Sequence, residues 1–88
     1  MRQILTTHKF ERRLAIFIKR YPEHRDKVRI RMKAIATDPF KSFLNTHKLS
    51  GQLDDCWSSS VTHGFRIIFE LIKGKIRFIN IGSHDEVY

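Results

Sequence analysis

The run Phe65-Arg66-Ile67-Ile68-Phe69-Glu70-Leu71-Ile72-Lys73-Gly74-Lys75-Ile76-Arg77-Phe78-Ile79-Asn80-Ile81 decides the fold. It reads as two strands around one tight turn. Over 65–72 the side chains alternate, with Ile67, Phe69 and Leu71 on one face and Arg66, Ile68 and Glu70 on the other. Lys73-Gly74 is the turn, and a strand over 75–81 returns with Ile76, Phe78, Ile79 and Ile81. Upstream, a strand over 56–62 leads into 65–72 through a turn at His63-Gly64. Three strands joined by two tight turns make an antiparallel meander.

Working back from the meander, the period lengthens. Residues 1–6 fit a short strand. Thr7 can cap a helix whose apolar face is Phe10, Leu14, Phe17 and Ile18, at the spacing i, i+4, i+7, i+8. Tyr21-Pro22 ends that helix, and Pro22 can open the next. A second helix over 23–36 repeats the spacing with Val28, Met32, Ile35 and Ala36, carries Glu23 and Asp26 near its positive end, and stops at Thr37-Asp38-Pro39. So short a link predicts an antiparallel helical hairpin. Ile16 and Ile30 fall off both apolar faces. Residues 40–55 read as irregular, with Asp54-Asp55 solvating a loop, and Trp57 is assigned to the core. The expected fold is α+β in the order β-α-α-β-β-β: the hairpin lies on one face of a twisted, mostly antiparallel sheet, and the Arg66 face is partly open. One domain over 1–88, without repeats, is expected from the length.

Charge is unevenly placed. The first 33 residues hold eleven Lys/Arg against three acids, Glu11, Glu23 and Asp26, and this excess equals the formal charge of +8 of the whole chain. A field of that size on so short a chain points to nucleic acid or an acidic protein as partner. Arg12, Arg13, Lys19, Arg29, Lys33, Lys48 and Arg77 are the candidate RNA-binding cations. The single cysteine, Cys56, reads as a small buried hydrophobe and suits a reducing compartment. No apolar run of about 18 residues exists and Met1-Arg2-Gln3-Ile4-Leu5 does not open a signal peptide, so the expectation is a soluble, cytoplasmic protein that meets no membrane.

Phosphate-binding loops, glycine-rich dinucleotide turns and Ser or Cys nucleophile motifs are missing. The five histidines lack metal-ligand spacing, so neither a metal nor a small-molecule cofactor is expected. What remains are polar groups of the second half: His47, Lys48, His63, Arg66, His84, Asp85 and Tyr88. Such groups can cleave RNA without a metal. A base removes the 2′-hydroxyl proton, an acid protonates the departing 5′-oxygen, and a cation holds the phosphoryl charge. Each has a plainer reading. His84 could serve a turn, His47 could decorate a surface loop, Arg66 could pair across strands, and Tyr88 could anchor the end rather than stack on a base. His63, before Gly64, reads first as turn chemistry.

Four segments together resemble the RelE/ParE superfamily of bacterial toxins: His47-Lys48-Leu49-Ser50-Gly51, Trp57-Ser58, Phe65-Arg66-Ile67-Ile68-Phe69 and Ile81-Gly82-Ser83-His84-Asp85-Glu86-Val87-Tyr88. The likeness is closest to the YafQ-like and RelE/StbE-like mRNA interferases and spans nearly the whole chain. It implies the toxin of a type II toxin–antitoxin pair, a ribosome-dependent endoribonuclease that cuts mRNA in the ribosomal A site. It implies the ribosome with its rRNA, the message and a neutralising antitoxin as partners. The antitoxin should be acidic or amphipathic where it meets the toxin. By the same resemblance His84 is a proton-transfer residue and Tyr88 the aromatic after it, while His47 and Arg66 fill the family's histidine and strand-arginine positions. Ser60 departs from the pattern, since many relatives have Arg or His there; His63 is the nearby substitute. The alternatives are a ParE-like toxin that inhibits DNA gyrase without cutting RNA, and a degenerate toxin that only binds its antitoxin.

Overall fold

A computed structural model describes residues 1–51 and 55–88. Of the Asp54-Asp55 pair, Asp54 lies outside the described residues and Asp55 is exposed. The elements are β1 (Gln3–Thr6), α1 (His8–Arg20), a 3-10 turn (Pro22–His24), α2 (Arg25–Thr37), a second 3-10 turn (Ser42–Leu44), β2 (His47–Lys48), β3 (Cys56–Thr62), β4 (Phe65–Ile72), β5 (Lys75–Ser83) and α3 (His84–Val87). One five-stranded sheet runs β1-β5-β4-β3-β2. β1 lies parallel to β5, and every other pairing is antiparallel.

The expected α+β arrangement holds, with local corrections. Helix α2 starts at Arg25 rather than 23. The preceding residues close a tighter turn, in which the His24 N–H donates to the Tyr21 carbonyl at 2.9 Å. The segment read as irregular contains β2, which pairs His47 with Ser58 and Lys48 with Trp57. Two residues are too few to show an alternation. The last strand runs to Ser83, and its register slips where Ile68 faces Asn80 while Phe69 faces Phe78. That bulge explains why Phe78, Ile79 and Ile81 do not alternate. At the turn before β5, Lys73 and Gly74 have φ 41° and 81°, the left-handed pair of a tight hairpin in which glycine bears no Cβ cost.

Thr7 caps α1 as expected, its hydroxyl accepting from the Phe10 N–H at 3.0 Å. The helices cover one sheet face. Phe10, Phe17, Val28, Ile35, Val61, Ile67, Phe69, Ile76, Phe78 and Ile81 form the core there. Each large side chain so buried stabilises the fold by about 1.5–3 kcal/mol. Trp57 is half-buried and packs against this core, edge-on to Phe40 with ring centres 5.0 Å apart. Ile16 and Ile30 are exposed. On the opposite face Cys56, Ile68 and Val87 make a smaller cluster, so α3 is packed onto the Arg66 side of the sheet. Among the described residues no helix is long and apolar enough to cross a membrane.

Candidate active site

Arg66 emerges from β4 on the face away from the helices. Arginine can only donate hydrogen bonds, and here it has four acceptors. Its Nε donates to the Ser58 hydroxyl; Nη2 reaches the Asn45 carbonyl at 3.0 Å, the Ser58 carbonyl at 3.3 Å and His47 Nδ1 at 3.4 Å. Asn45, at φ 49°, turns the chain in the left-handed region just before β2, which brings His47 opposite Ser58. Because a guanidinium cannot accept, His47 Nδ1 must, which leaves its ring proton on Nε2.

The last helix supplies the other wall. Ser83 and Glu86 form a reciprocal capping box, with the Ser83 N–H donating to Glu86 Oε1 at 2.9 Å. This backbone hydrogen bond, then the Ser83 hydroxyl, holds the Glu86 carboxyl below its ordinary value; burial opposes the shift, while Arg13 and Arg20 add to it. Gly82 makes the close approach possible: a Cβ there would lie 3.0 Å from Glu86 Oε1 and 3.1 Å from its Cβ. Val87 is buried, and the Tyr88 hydroxyl bonds the Ser58 hydroxyl. The His84 ring meets Tyr88 edge-on at 4.4 Å, and His84 Nδ1 lies 3.5 Å from Asp85 Oδ1. With Nδ1 turned to that carboxylate, Nε2 is the His84 nitrogen left for a substrate.

Contacts therefore link His47, Arg66, Ser58, Tyr88, His84 and Asp85 in sequence. They border a groove of about 720 Å³ lined by Lys9, His47, Leu49, Ser50, Asn80, Asp85, Glu86, Val87 and Tyr88. Arg66, Ser58 and His84 are not among the lining residues and meet the groove through His47 and Tyr88. His63 stands apart: it is exposed in the β3–β4 turn, and none of the contacts around Ser58 includes it. Ser60 turns its hydroxyl to the Thr62 carbonyl at 3.2 Å. Among the described residues no group of three His, Cys, Asp or Glu side chains could hold a metal ion.

The candidate RNA-binding cations are spread over α1, α2, β2 and β5. Lys48 is exposed beside His47 on the sheet edge. Arg77 pairs with Glu70 at 3.3 Å. Arg13 lies 3.9 Å from Glu86, and Arg29 is 3.4 Å from Asp26. Arg12, Lys19 and Lys33 are exposed and enter none of the ion pairs among the described residues. Arg29 and Lys33 border an apolar groove of about 370 Å³ between the helices.

Sequence reasoning missed Ser58, Asn45, Lys9 and Asn80. Ser58 was out of reach: counted back from the His63-Gly64 turn it would face Phe69, and only the register shift between Ser60 and Thr62 sets it opposite Ile68 on the Arg66 face. Lys9 could not be found by counting either, because only the packing of α1 on β5 brings its end to the groove.

No protein-family model and no curated protein matches the sequence. Solved structures do. YafQ from E. coli strain BL21(DE3) aligns at a TM-score of 0.87 and 18% identity, covering 100% of this chain and 99% of YafQ. A chain of the E. coli DinJ–YafQ complex aligns at 0.84 and 20% identity, covering 100% and 99%. The YoeB/ParE toxin from Agrobacterium tumefaciens aligns at 0.79 and 14% identity, covering 93% and 98%. The chain has the RelE-like fold, the fold of the YafQ and YoeB/ParE toxins.

Proposed function

We propose that this chain, as one domain, is the toxin of a type II toxin–antitoxin pair and an endoribonuclease that cuts mRNA in the ribosomal A site. The observation that carries this reading is the run of contacts from His47 through Arg66, Ser58 and Tyr88 to His84, which assembles proton-transfer groups and a phosphate-binding fork from separate elements. The charge of +8 suits an rRNA surface, and ribosomes place the action in the cytoplasm.

In this mechanism His84 Nε2 removes the 2′-hydroxyl proton while Asp85 holds the ring's tautomer. The 2′-oxygen attacks the adjacent phosphorus and the bond to the 5′-oxygen breaks, giving a 2′,3′-cyclic phosphate and a 5′-hydroxyl. Arg66 and the Nε2–H of His47 face the charge on the phosphoryl oxygens. The Tyr88 ring stacks on a base. A positioned base contributes about 10²–10⁴-fold to such a step. Lys48, Arg12, Lys19 and Lys33 supply attraction to rRNA, and an acidic or amphipathic antitoxin covers part of this basic surface.

Ser60 favours a second reading. Its position carries a hydroxyl turned to the backbone, with no charge to offer RNA, and a ParE-like gyrase inhibitor needs no nucleolytic groups. The two separate in one pair of assays with the purified protein. Cleavage of ribosome-bound message with unimpaired gyrase supercoiling supports the nuclease. Blocked supercoiling with intact message rejects it.

A further inference from the structure

Asn80 on β5 turns two amide protons to the groove. The residue is 5% exposed, and its amide is fixed one way round: Oδ1 accepts from the Ile81 N–H at 2.9 Å. A backbone N–H can only donate, so the other end of the amide is the NH2, with two protons to give. Among the described residues Nδ2 meets no acceptor, yet no buried side-chain polar atom among them lacks a partner. Nδ2 is therefore not sealed in, and it opens to the groove of about 720 Å³ that Asn80 lines.

Register sets that donor on the same face as the candidate site. His47 pairs with Ser58, Ser58 with Ile68 and Ile68 with Asn80, one row across four strands. At about 4.8 Å per strand, Asn80 lies about 10 Å from Ser58 and about 14 Å from His47. A phosphate held at Arg66 is out of its reach, so Asn80 meets a neighbouring part of the same strand. The surroundings select a base there. Asp85 and Glu86 line the groove and repel phosphate, and Lys9 offsets only one of these two carboxylates. Leu49 and Val87 offer apolar walls to a flat ring.

We propose that Asn80 reads a base of the message and prefers the keto bases, guanine and uracil. The inference rests on the nuclease reading and adds base specificity to it. An asparagine with both ends free contacts adenine through donor and acceptor together. Asn80 has its acceptor committed to Ile81 and offers protons alone. Guanine O6 and uracil O4 accept them. Adenine and cytosine carry an amino group at that place, so donor would face donor, and the NH2 would lose water without a replacement.

The test varies one base at a time across the A-site codon of ribosome-bound message and reads kcat/KM. At one codon position wild type should favour G and U over A and C by about 10-fold, the scale of one hydrogen bond made or left unpaired. Asn80→Asp keeps the shape and the Ile81 contact but turns an acceptor to the groove, so the preference should invert. Asn80→Ala should treat the four bases alike. Each preference is a ratio within one protein, so a loss of folded protein cancels. Equal wild-type rates for all four bases at every position, or a G/U preference that survives either substitution, overturn the assignment. A second readout needs no cleavage: 2′-O-methyl trinucleotides of uridine and of cytidine are titrated onto the protein, and NMR follows the Asn80 NH2 protons. Uridine should shift them and cytidine should leave them in place. An equal response to both, or none to either, overturns the base contact. A wild type that cuts no message defeats the nuclease reading instead, and the titration still judges Asn80.

Discussion

Gly82→Ala should loosen the site while leaving the fold intact. The added Cβ would lie 3.0 Å from Glu86 Oε1, 3.1 Å from Glu86 Cβ and 3.4 Å from Cδ. The carboxylate can swing away only by leaving the Ser83 N–H, and the Cβ belongs to the helix itself, so α3 must move. Overpacking of this kind costs about 1–3 kcal/mol, and two contacts near 3 Å put this one in the upper half of that range. What holds α3 down is chiefly the burial of Val87 and the capping box; with ordering entropy set against them, the net is about 2 kcal/mol, or roughly 30 docked for each undocked. A clash of about 2 kcal/mol brings that ratio near one, and about 3 kcal/mol brings it near one in six. Cleavage of ribosome-bound message should therefore fall to between about a half and a sixth, with a melting temperature within a few degrees of wild type because the main core is untouched. Gly64→Ala is the control, since a Cβ there meets nothing within 4 Å. Full activity in Gly82→Ala, or equal impairment in Gly64→Ala, would refute the claim that α3 must be seated for the site to exist.

Three further outcomes follow from particular residues. Glu86 has its carboxyl held below the ordinary 4.5, chiefly by the Ser83 N–H; a depressed carboxyl stabilises the docked helix above the ordinary value and loses that contribution as pH falls through the lowered one. The His84–Tyr88 ring contact, followed by NMR, should thus weaken on acidification below about pH 4.5, and Glu86→Gln should abolish that titration; because Glu86 is an exposed residue the effect is modest. Phe69→Ala empties a fully buried position and should cost about 3–5 kcal/mol, lowering the melting temperature by at least roughly 12 °C in a calorimeter. Replacing Arg12, Lys19 or Lys33 by Ala should reduce the slope of log ribosome affinity against log salt by up to about 0.9 for each phosphate no longer neutralised; an unchanged slope removes that residue from the rRNA surface.

Much of the architecture was legible because long elements repeat. β3 and β4 carry enough residues to show a period of two, and α1 places Phe10, Leu14 and Phe17 on one face with Thr7 as its cap. The short elements were not. β2 has two residues and α3 four, too few for either period to register; their positions come from pairing with β3 and from Val87 packing on Ile68. The parallel seating of β1 beside β5 is equally silent, since its four residues are mostly exposed. At the site, Arg66 stood out as a cation within a strand that alternates, and His84 as a histidine behind an apolar run. Ser58 looked like any strand serine. Its weight appears only once Arg66 and Tyr88, far apart in sequence, are seen to share its oxygen. His63 was drawn in by its closeness along the chain, but the turn that holds it leaves it outside those contacts.

Proton transfer by His84 underlies everything proposed for the site, and single-turnover cleavage of an A-site codon reads that step. Wild-type protein with programmed ribosomes should cut the message and leave a 2′,3′-cyclic phosphate, and His84→Ala should be slower by about 10²–10⁴-fold with its fold and ribosome binding unchanged. Cleavage by His84→Ala at the wild-type rate, or message left intact by the wild type, would contradict it.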